Sequence, residues 1–372
     1  MYKRQDLTNA EKDIRKIENH IKTNIFYNQA KTEVSSIESI LKNKIANTSS
    51  LLAFYAAIFN ELDYNYEIVL TSKRNELLFD KDYESYNFLQ KYLIYFPDID
   101  LYFEPTNYEN RLGFPDPYLM DTYGLFIKKV KIGDFVSGVG KVKYIKPIEY
   151  DKTAYDLLLN VSFEEENISN INVNLEREMS GYYSVNYQPF IHLAKPEQKN
   201  EMAENIVKYI SDKIIILETK FENEAIESFG EKPMKVVAKF TSENFVQNAG
   251  NKYLFKVGEL IGPQSELYQD TKRKLPVSSS YKRRFNNKLI IKVPSGYSFK
   301  NLEELNIDES YSDDNEVLFS FKSSYTLVDD LLTININEFY NKNIIPLNLY
   351  EDYRKVINSA ANFNKVTLIL DK

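Results

Sequence analysis

Three hydroxyls, Thr48, Ser49 and Ser50, stand directly before an apolar run from Leu51 to Phe59. A hydroxyl at the head of a buried helix could be made into a nucleophile, but only with a base in hydrogen-bond reach; without one it caps the helix by accepting backbone N–H bonds. The chain has no cysteine, which excludes a thiolate mechanism, and its two histidines, His20 and His192, both lie outside this stretch. Neither has a second His or Cys at ligand spacing, so no zinc site is expected. The acidic groups Glu164 to Glu166 and Asp313 to Glu316 lack the spaced ligands and central glycine of a calcium loop and read as solvated turns. Gly138-Val139-Gly140 lacks the flanking strand, helix and further glycine of a phosphate loop and reads as a strand turn. No cofactor and no metal are expected.

The elements that would position these hydroxyls follow from periodicity. Ile14, Ile17 and Ile21 recur at helical spacing after a capping pattern, Thr8 to Glu11, predicting a helix from about Asn9 to Lys22. A short helix is expected near Ser36 to Lys42, and an apolar one from about Thr48 to Leu62, buried on nearly all sides. Tyr66 to Thr71, Tyr92 to Phe96 and Leu101 to Thr106 read as strands of one small sheet, with short β segments at 125–130 and 141–148. From Ala154 the pattern becomes alternation: Tyr155, Leu157, Leu159, Val161 and Phe163 share one face, and Ile171, Val173 and Leu175 the next, an antiparallel hairpin with one buried side. A helix opens at Pro196, further strands are expected around 214–221, 235–241, 288–293, 316–321 and 331–337, and a capping pattern at Asn348 to Glu351 precedes a last helix and a final strand.

Composition sets the outer limits. A chain of 372 residues with 43% hydrophobic residues can bury a sizeable core. A net charge of −7 argues against a nucleic-acid surface, which needs clustered cations to displace counterions. The one basic cluster, Lys272 to Lys274 with Lys282 to Arg284, reads as a solvated linker flanked by strand-edge charges. No apolar run is long enough for a transmembrane helix. Residues 1–5, Met-Tyr-Lys-Arg-Gln, look like a translated sequencing-library end, so a longer natural N-terminus is expected.

With the elements in this order, Tyr102-Phe103-Glu104-Pro105-Thr106 resembles an aromatic-x-Asp-Pro-Thr strand end, and Val293-Pro294-Ser295-Gly296-Tyr297 a Pro-x-Gly-Tyr turn. Together with Gly181-Tyr182-Tyr183 and the run Gly258 to Pro263, they are similar to a bacterial envelope family. Its members join an N-terminal β-sandwich, a transglutaminase-like domain and a C-terminal β-sandwich of unknown function. The resemblance implies an α+β chain: a degenerate papain/transglutaminase-like domain at 6–150, a β-rich domain with one helix at 151–275, and a C-terminal β-sandwich part at 276–372 with a terminal helix and strand. The region from 151 onward is then a mainly antiparallel β-sandwich with inserted helices. Carried onto this chain, the family's cysteine falls at Ile45, its histidine at Lys91 and its aspartate at Glu104. Both the thiol and the imidazole are gone.

The resemblance therefore implies a non-catalytic binding or scaffold protein of the bacterial envelope, periplasmic or envelope-associated. Its partner would be a peptide, a glycan or an envelope protein. Thr48, Tyr92, Tyr95 and Tyr102 are expected to line the old cleft, with Lys91 and Glu104 forming a salt bridge across it. The alternative is an enzyme rebuilt around a hydroxyl, Thr48, Ser49 or Ser50, with Lys91 as base and Glu104 as the third piece, acting on peptide amides. Oligomeric state is left open.

Overall fold

The computed structural model describes residues 7–30, 33–268 and 271–372; residues 1–5, read above as a sequencing-library end, lie outside them. The chain is mixed α+β, with mostly antiparallel sheets and few helices. It divides into two compact units, one of residues 1–148 with 229–231, the other of residues 149–228 with 232–372.

In the first unit, α1 (Leu7–Asn24), α2 (Ile37–Asn43) and α3 (Thr48–Glu61) accompany a five-stranded antiparallel sheet. The two-residue strands β1 (Phe26–Tyr27) and β2 (Ile45–Ala46) pair in parallel beside it. The larger sheet comprises β3 (Glu67–Thr71), β4 (Lys91–Phe96), β5 (Leu101–Phe103), β6 (Thr122–Ile132) and β7 (Phe135–Ile145), in the order β5-β4-β3-β6-β7. Helix α1 starts two residues before the expected Asn9. Helix α2 starts where Ser36 caps it, its side chain accepting the Ser39 N–H. Strands β6 and β7 run to eleven residues each, far past the short segments expected, and Gly138 and Gly140 lie inside β7 rather than in a turn. Hairpin pairing is continuous from Thr122↔Ile145 to Ile132↔Phe135, which carries the strands beyond the residues that can bury a face.

Alternation divides this sheet's side chains into two cores. Ile94, Phe96 and Phe103 pack with Leu51, Leu52, Phe54, Tyr55 and Phe59 of α3 and Ile14 and Ile21 of α1. Leu93 and Tyr102 join Val69, Phe126 and Ile145 on the other face.

The second unit is built on an eight-stranded sheet and a four-stranded one. The larger contains β8 (Tyr155–Phe163), β9 (Ile171–Met179), β10 (Ile215–Glu222), β11 (Met234–Ser242), β15 (Arg283–Lys292), β17 (Ile307–Asp313), β18 (Glu316–Val328) and β19 (Leu331–Tyr340). Their order is β10-β11-β9-β8-β15-β19-β18-β17, antiparallel except where β8 and β15 pair in parallel. The smaller, in the order β12-β13-β21-β16, holds β12 (Val246–Ala249), β13 (Lys252–Phe255), β16 (Ser298–Lys300) and β21 (Leu368–Asp371). A short pair joins β14 (Val277–Ser278) to β20 (Ile344–Ile345). Helices α4 (Tyr182–Val185), α5 (Pro196–Lys208) and α6 (Tyr350–Asn364) complete the unit.

Both sheets contribute to one core, where the Phe163 ring of β8 meets Phe255 of β13 at 5.2 Å. Because β8 and β15 are neighbours, residues 151–275 and 276–372, expected as separate regions, share a single sheet. The Asn348 to Glu351 capping pattern is not used: a turn of 3₁₀ helix covers Leu347–Leu349, and α6 starts at Tyr350 without a side-chain cap.

Candidate functional site

At the head of α3, where a nucleophile would stand, Asn47, Thr48 and Ser50 are each engaged in hydrogen bonds. Asn47, with extended backbone, accepts the Ser50 N–H on its side chain at 2.9 Å. The Thr48 hydroxyl shares a 2.9 Å hydrogen bond with the Tyr27 hydroxyl, and Ser50 Oγ accepts from the Ser35 N–H. Ile45, the position aligned with the thiol, is not at the helix start. It belongs to β2, and the helix begins only after the Asn47 cap.

The other aligned positions do not converge. Tyr92 lies on the α3 side of the sheet with Ile94 and Phe96, so alternation turns Lys91 to the opposite face, the side of Leu93. Thr48 and Lys91 are thus separated by the sheet, and the expected Lys91–Glu104 bridge is not among the ion pairs of the described residues. The expected cleft quartet divides in the same way. Tyr95 and Tyr102, partners in register, stack at 4.6 Å against Phe126 on the far face, while Thr48 and Tyr92 stay on the near one. Tyr95 Oη donates to Asp100 at 2.7 Å, and burial foremost raises its pKa well above the ordinary tyrosine value. These two rings hold the sheet together. Tyr95→Phe should lower the stability of the unit by about 1 kcal/mol in denaturant titrations, the worth of one such hydrogen bond.

A buried ionic cluster forms where α1 passes the end of β5. Glu18 and Lys22, one helical turn apart, have side chains only 2% and 4% exposed. Lys22 Nζ donates to Glu18 Oε1 at 2.9 Å and to the Asn110 carbonyl at 2.6 Å, and sits 4.9 Å from the centre of the Phe103 ring. The second Glu18 oxygen accepts the Leu112 N–H at 2.8 Å. Burial pulls the Lys22 pKa down to about 8, against the opposing pull of Glu18. Glu104 is pushed up by burial, partly offset by the Asp116 N–H and the Asn110 side-chain amide that donate to it. Arg111 donates to the Tyr108 and Asn110 carbonyls, while its Nε and Nη2 have no hydrogen-bond partner among the described residues.

Beside this cluster lies a cavity of about 510 Å³, lined by the end of α1 and the following turn, by Leu51 and Tyr55 of α3, and by Pro105, Thr106 and Tyr108 after β5. Lys22 forms part of its wall, and the fully buried Tyr55 hydroxyl next to it has no hydrogen-bond partner among the described residues. The cavity offers aromatic and aliphatic surface, a lysine that changes charge near pH 8, and a phenol ready to donate. That is equipment for holding a polar ligand; no nucleophile with a base beside it is present among these groups. Glu18 and Lys22 were not legible as site residues, since an i, i+4 Glu–Lys pair looks like any surface pair on an amphipathic helix.

Residues 251–370 match the model of a domain of unknown function with a solved structure, DUF3858. No curated protein matches the chain. Among solved structures it is similar to one from Parabacteroides distasonis described as a "putative protease", with 12% identity and a TM-score of 0.46. The match covers 96% of this chain and 51% of that one, so the chain spans about half the length of that protein.

Proposed function

We propose that the chain is a non-catalytic member of the transglutaminase-like envelope group, its first unit a degenerate papain-like domain that binds a peptide or glycan. The observation that carries this reading is the head of α3. There Asn47 and Thr48 are engaged in capping and in a bond to Tyr27, with no thiol or imidazole beside them, while a cavity persists next to Tyr55. The rival is an amidase rebuilt around a hydroxyl with a lysine as its base.

The test uses the purified chain in two assays. Isothermal titration with short wall-derived peptides and glycan fragments should give saturable binding that Tyr55→Phe weakens by roughly tenfold, the value of one hydrogen bond to a buried ligand group. Incubation with peptide amides should release no ammonia above a heat-treated control. Ammonia release that disappears in Lys22→Ala or Lys91→Ala would establish the rival instead. Periplasmic or envelope residence belongs to the same proposal, and fractionation of cells expressing the natural gene checks it.

A further inference from the structure

Three strands of the large sheet in the second unit, β9, β15 and β19, break their apolar alternation at the same end, with β8 between β9 and β15. On the buried face of β9 the series Ile171, Val173, Leu175 is followed by Arg177; β15 carries Arg283, Phe285 and Asn287 before Leu289 and Ile291; β19 runs Ile334, Ile336, Glu338, Tyr340. Pairing brings these breaks together. Arg177 and Asn287 both lie opposite Leu157 of β8, from either side, while Glu338 faces Phe285 and Tyr340 faces Arg283. They surround a cavity of about 140 Å³ whose rim is the loop Pro263 to Ser265. That volume is the liquid share of four or five waters.

The cavity has a charge to satisfy. Arg177 is 2% exposed, its guanidinium lies 4.2 Å from the centre of the Tyr155 ring, and its Nε and Nη2 have no hydrogen-bond partner among the described residues. Those two nitrogens form one edge of the guanidinium, the edge that grips a carboxylate through two parallel bonds. Arg283, over the ring of Tyr340 at 4.8 Å, adds a second cation. Glu338 is the one carboxylate in the lining; it accepts the Tyr340 hydroxyl at 2.7 Å, and its burial raises its pKa. Nearby Asp156 is already taken by Arg284 at 2.7 Å. Two guanidiniums against one carboxylate leave one positive charge over, and arginine cannot shed its proton.

We infer that this cavity is a binding site for a single small carboxylate, gripped by the Nε and Nη2 edge of Arg177 and walled by Tyr155, Phe285 and Tyr340. A single surplus charge and aromatic walls favour a monoanion of this size over doubly charged phosphate. The carboxylate comes either from a free small acid or from the C-terminus of a peptide entering past Pro263 to Ser265. The assignment is independent of the cleft in the first unit.

Thermal melts of the whole chain test it, with sodium acetate replacing sodium chloride at constant ionic strength. Acetate should raise the melting temperature of the second unit saturably, by roughly 2 °C or more at excess ligand. Inorganic phosphate should not reproduce the effect. A glycine-ended peptide that acts with a free but not an amidated C-terminus identifies a chain end as the source; a response to acetate alone identifies a free acid. Arg177→Met should remove the response. Should that variant fail to fold, Asn287→Asp decides: a carboxylate built into the cavity should raise the melting temperature in chloride and abolish the acetate effect. Identical wild-type melts in acetate and chloride, a response to phosphate alone, or an Asn287→Asp chain that melts lower and still answers to acetate would overturn the assignment.

Discussion

Gly258→Ala is expected to destabilise the second unit by more than about 3 kcal/mol, lowering its melting temperature by about 6 °C or more. Gly258 sits in the 3₁₀ turn Val257–Ile261, whose Val257, Leu260 and Ile261 are buried in the core. A Cβ there would meet the Phe363 carbonyl oxygen at 2.0 Å and the Asn364 carbonyl at 2.7 Å. Both are backbone atoms at the end of α6, so no side-chain rotation relieves the clash. The turn is also fastened at this point: the Gly258 N–H donates to the Val366 carbonyl, and the Asn364 amide donates to the carbonyls of Gly258 and Gly262. Moving the turn away would break these bonds and uncover Leu260. Gly250→Ala is the control. Its φ is +80° with nothing within 4 Å of a new Cβ, so only the local cost of left-handed backbone, about 1 kcal/mol, is expected. Denaturant titration of both variants measures the difference.

What was legible in the chain was whatever repeats with a period. The β8–β9 hairpin shows in the alternation of Tyr155 to Phe163 and Ile171 to Leu175, because a strand with one wet face must write its pattern residue by residue. Helix α5 shows from Pro196 and α2 from Ser36, where local chemistry sets the boundary. Contacts between distant segments left no such mark. The parallel pairing of β8 with β15 joins residues more than a hundred positions apart, and no spacing announces it. The face on which a strand residue lies is also a tertiary fact: Lys91 and Tyr95 were expected beside α3, and one step of alternation puts them across the sheet. The basic cluster divides for the same reason. Arg284 pairs with Asp156, while Arg283, one residue earlier, lines the cavity. The usable signal in the second unit was a polar residue where alternation calls for an apolar one, as at Arg177, Asn287 and Glu338. Such a residue cannot be absorbed into an apolar core and must be answered by something.

Between pH 8 and about pH 10.4 the stability of the first unit should gain a rising contribution from Lys22, opposed only as pH nears 10 by tyrosines whose pKa burial raises. The folded pKa of Lys22, about 8, lies below the ordinary lysine value of about 10.4. In that window the unfolded chain holds a proton that the folded chain has released, and stability rises with pH wherever the unfolded state binds more protons. The Lys22 contribution is fully present above about pH 10.4 and is lost as pH falls through 8. Its full size is about 3 kcal/mol. The same group limits what its partner is worth. Removing Glu18 takes away the strongest influence holding the Lys22 proton, yet at pH 7 the lysine can go neutral for about 1 kcal/mol, so the loss through Lys22 stops there. The rest of the damage in Glu18→Ala comes from the Leu112 N–H, left buried without its acceptor, at about 1–3 kcal/mol. A total near 3 kcal/mol is expected at pH 7. In Glu18→Gln the amide oxygen can still accept that N–H, and the expected loss falls to about half. The double variant Glu18→Gln with Lys22→Met removes both charges together and should match or exceed the wild type at pH 7, since well-packed neutral replacements of a buried pair are often neutral or stabilising. Denaturant titrations at pH 7.5 and 9.5 separate these cases. The wild type should gain stability over that interval, and the double variant should lose the Lys22 share of the gain. An unchanged slope in the double variant would mean that Lys22 keeps an ordinary pKa, and the cavity beside Tyr55 would then be lined by a permanent cation rather than by a lysine that titrates near neutrality.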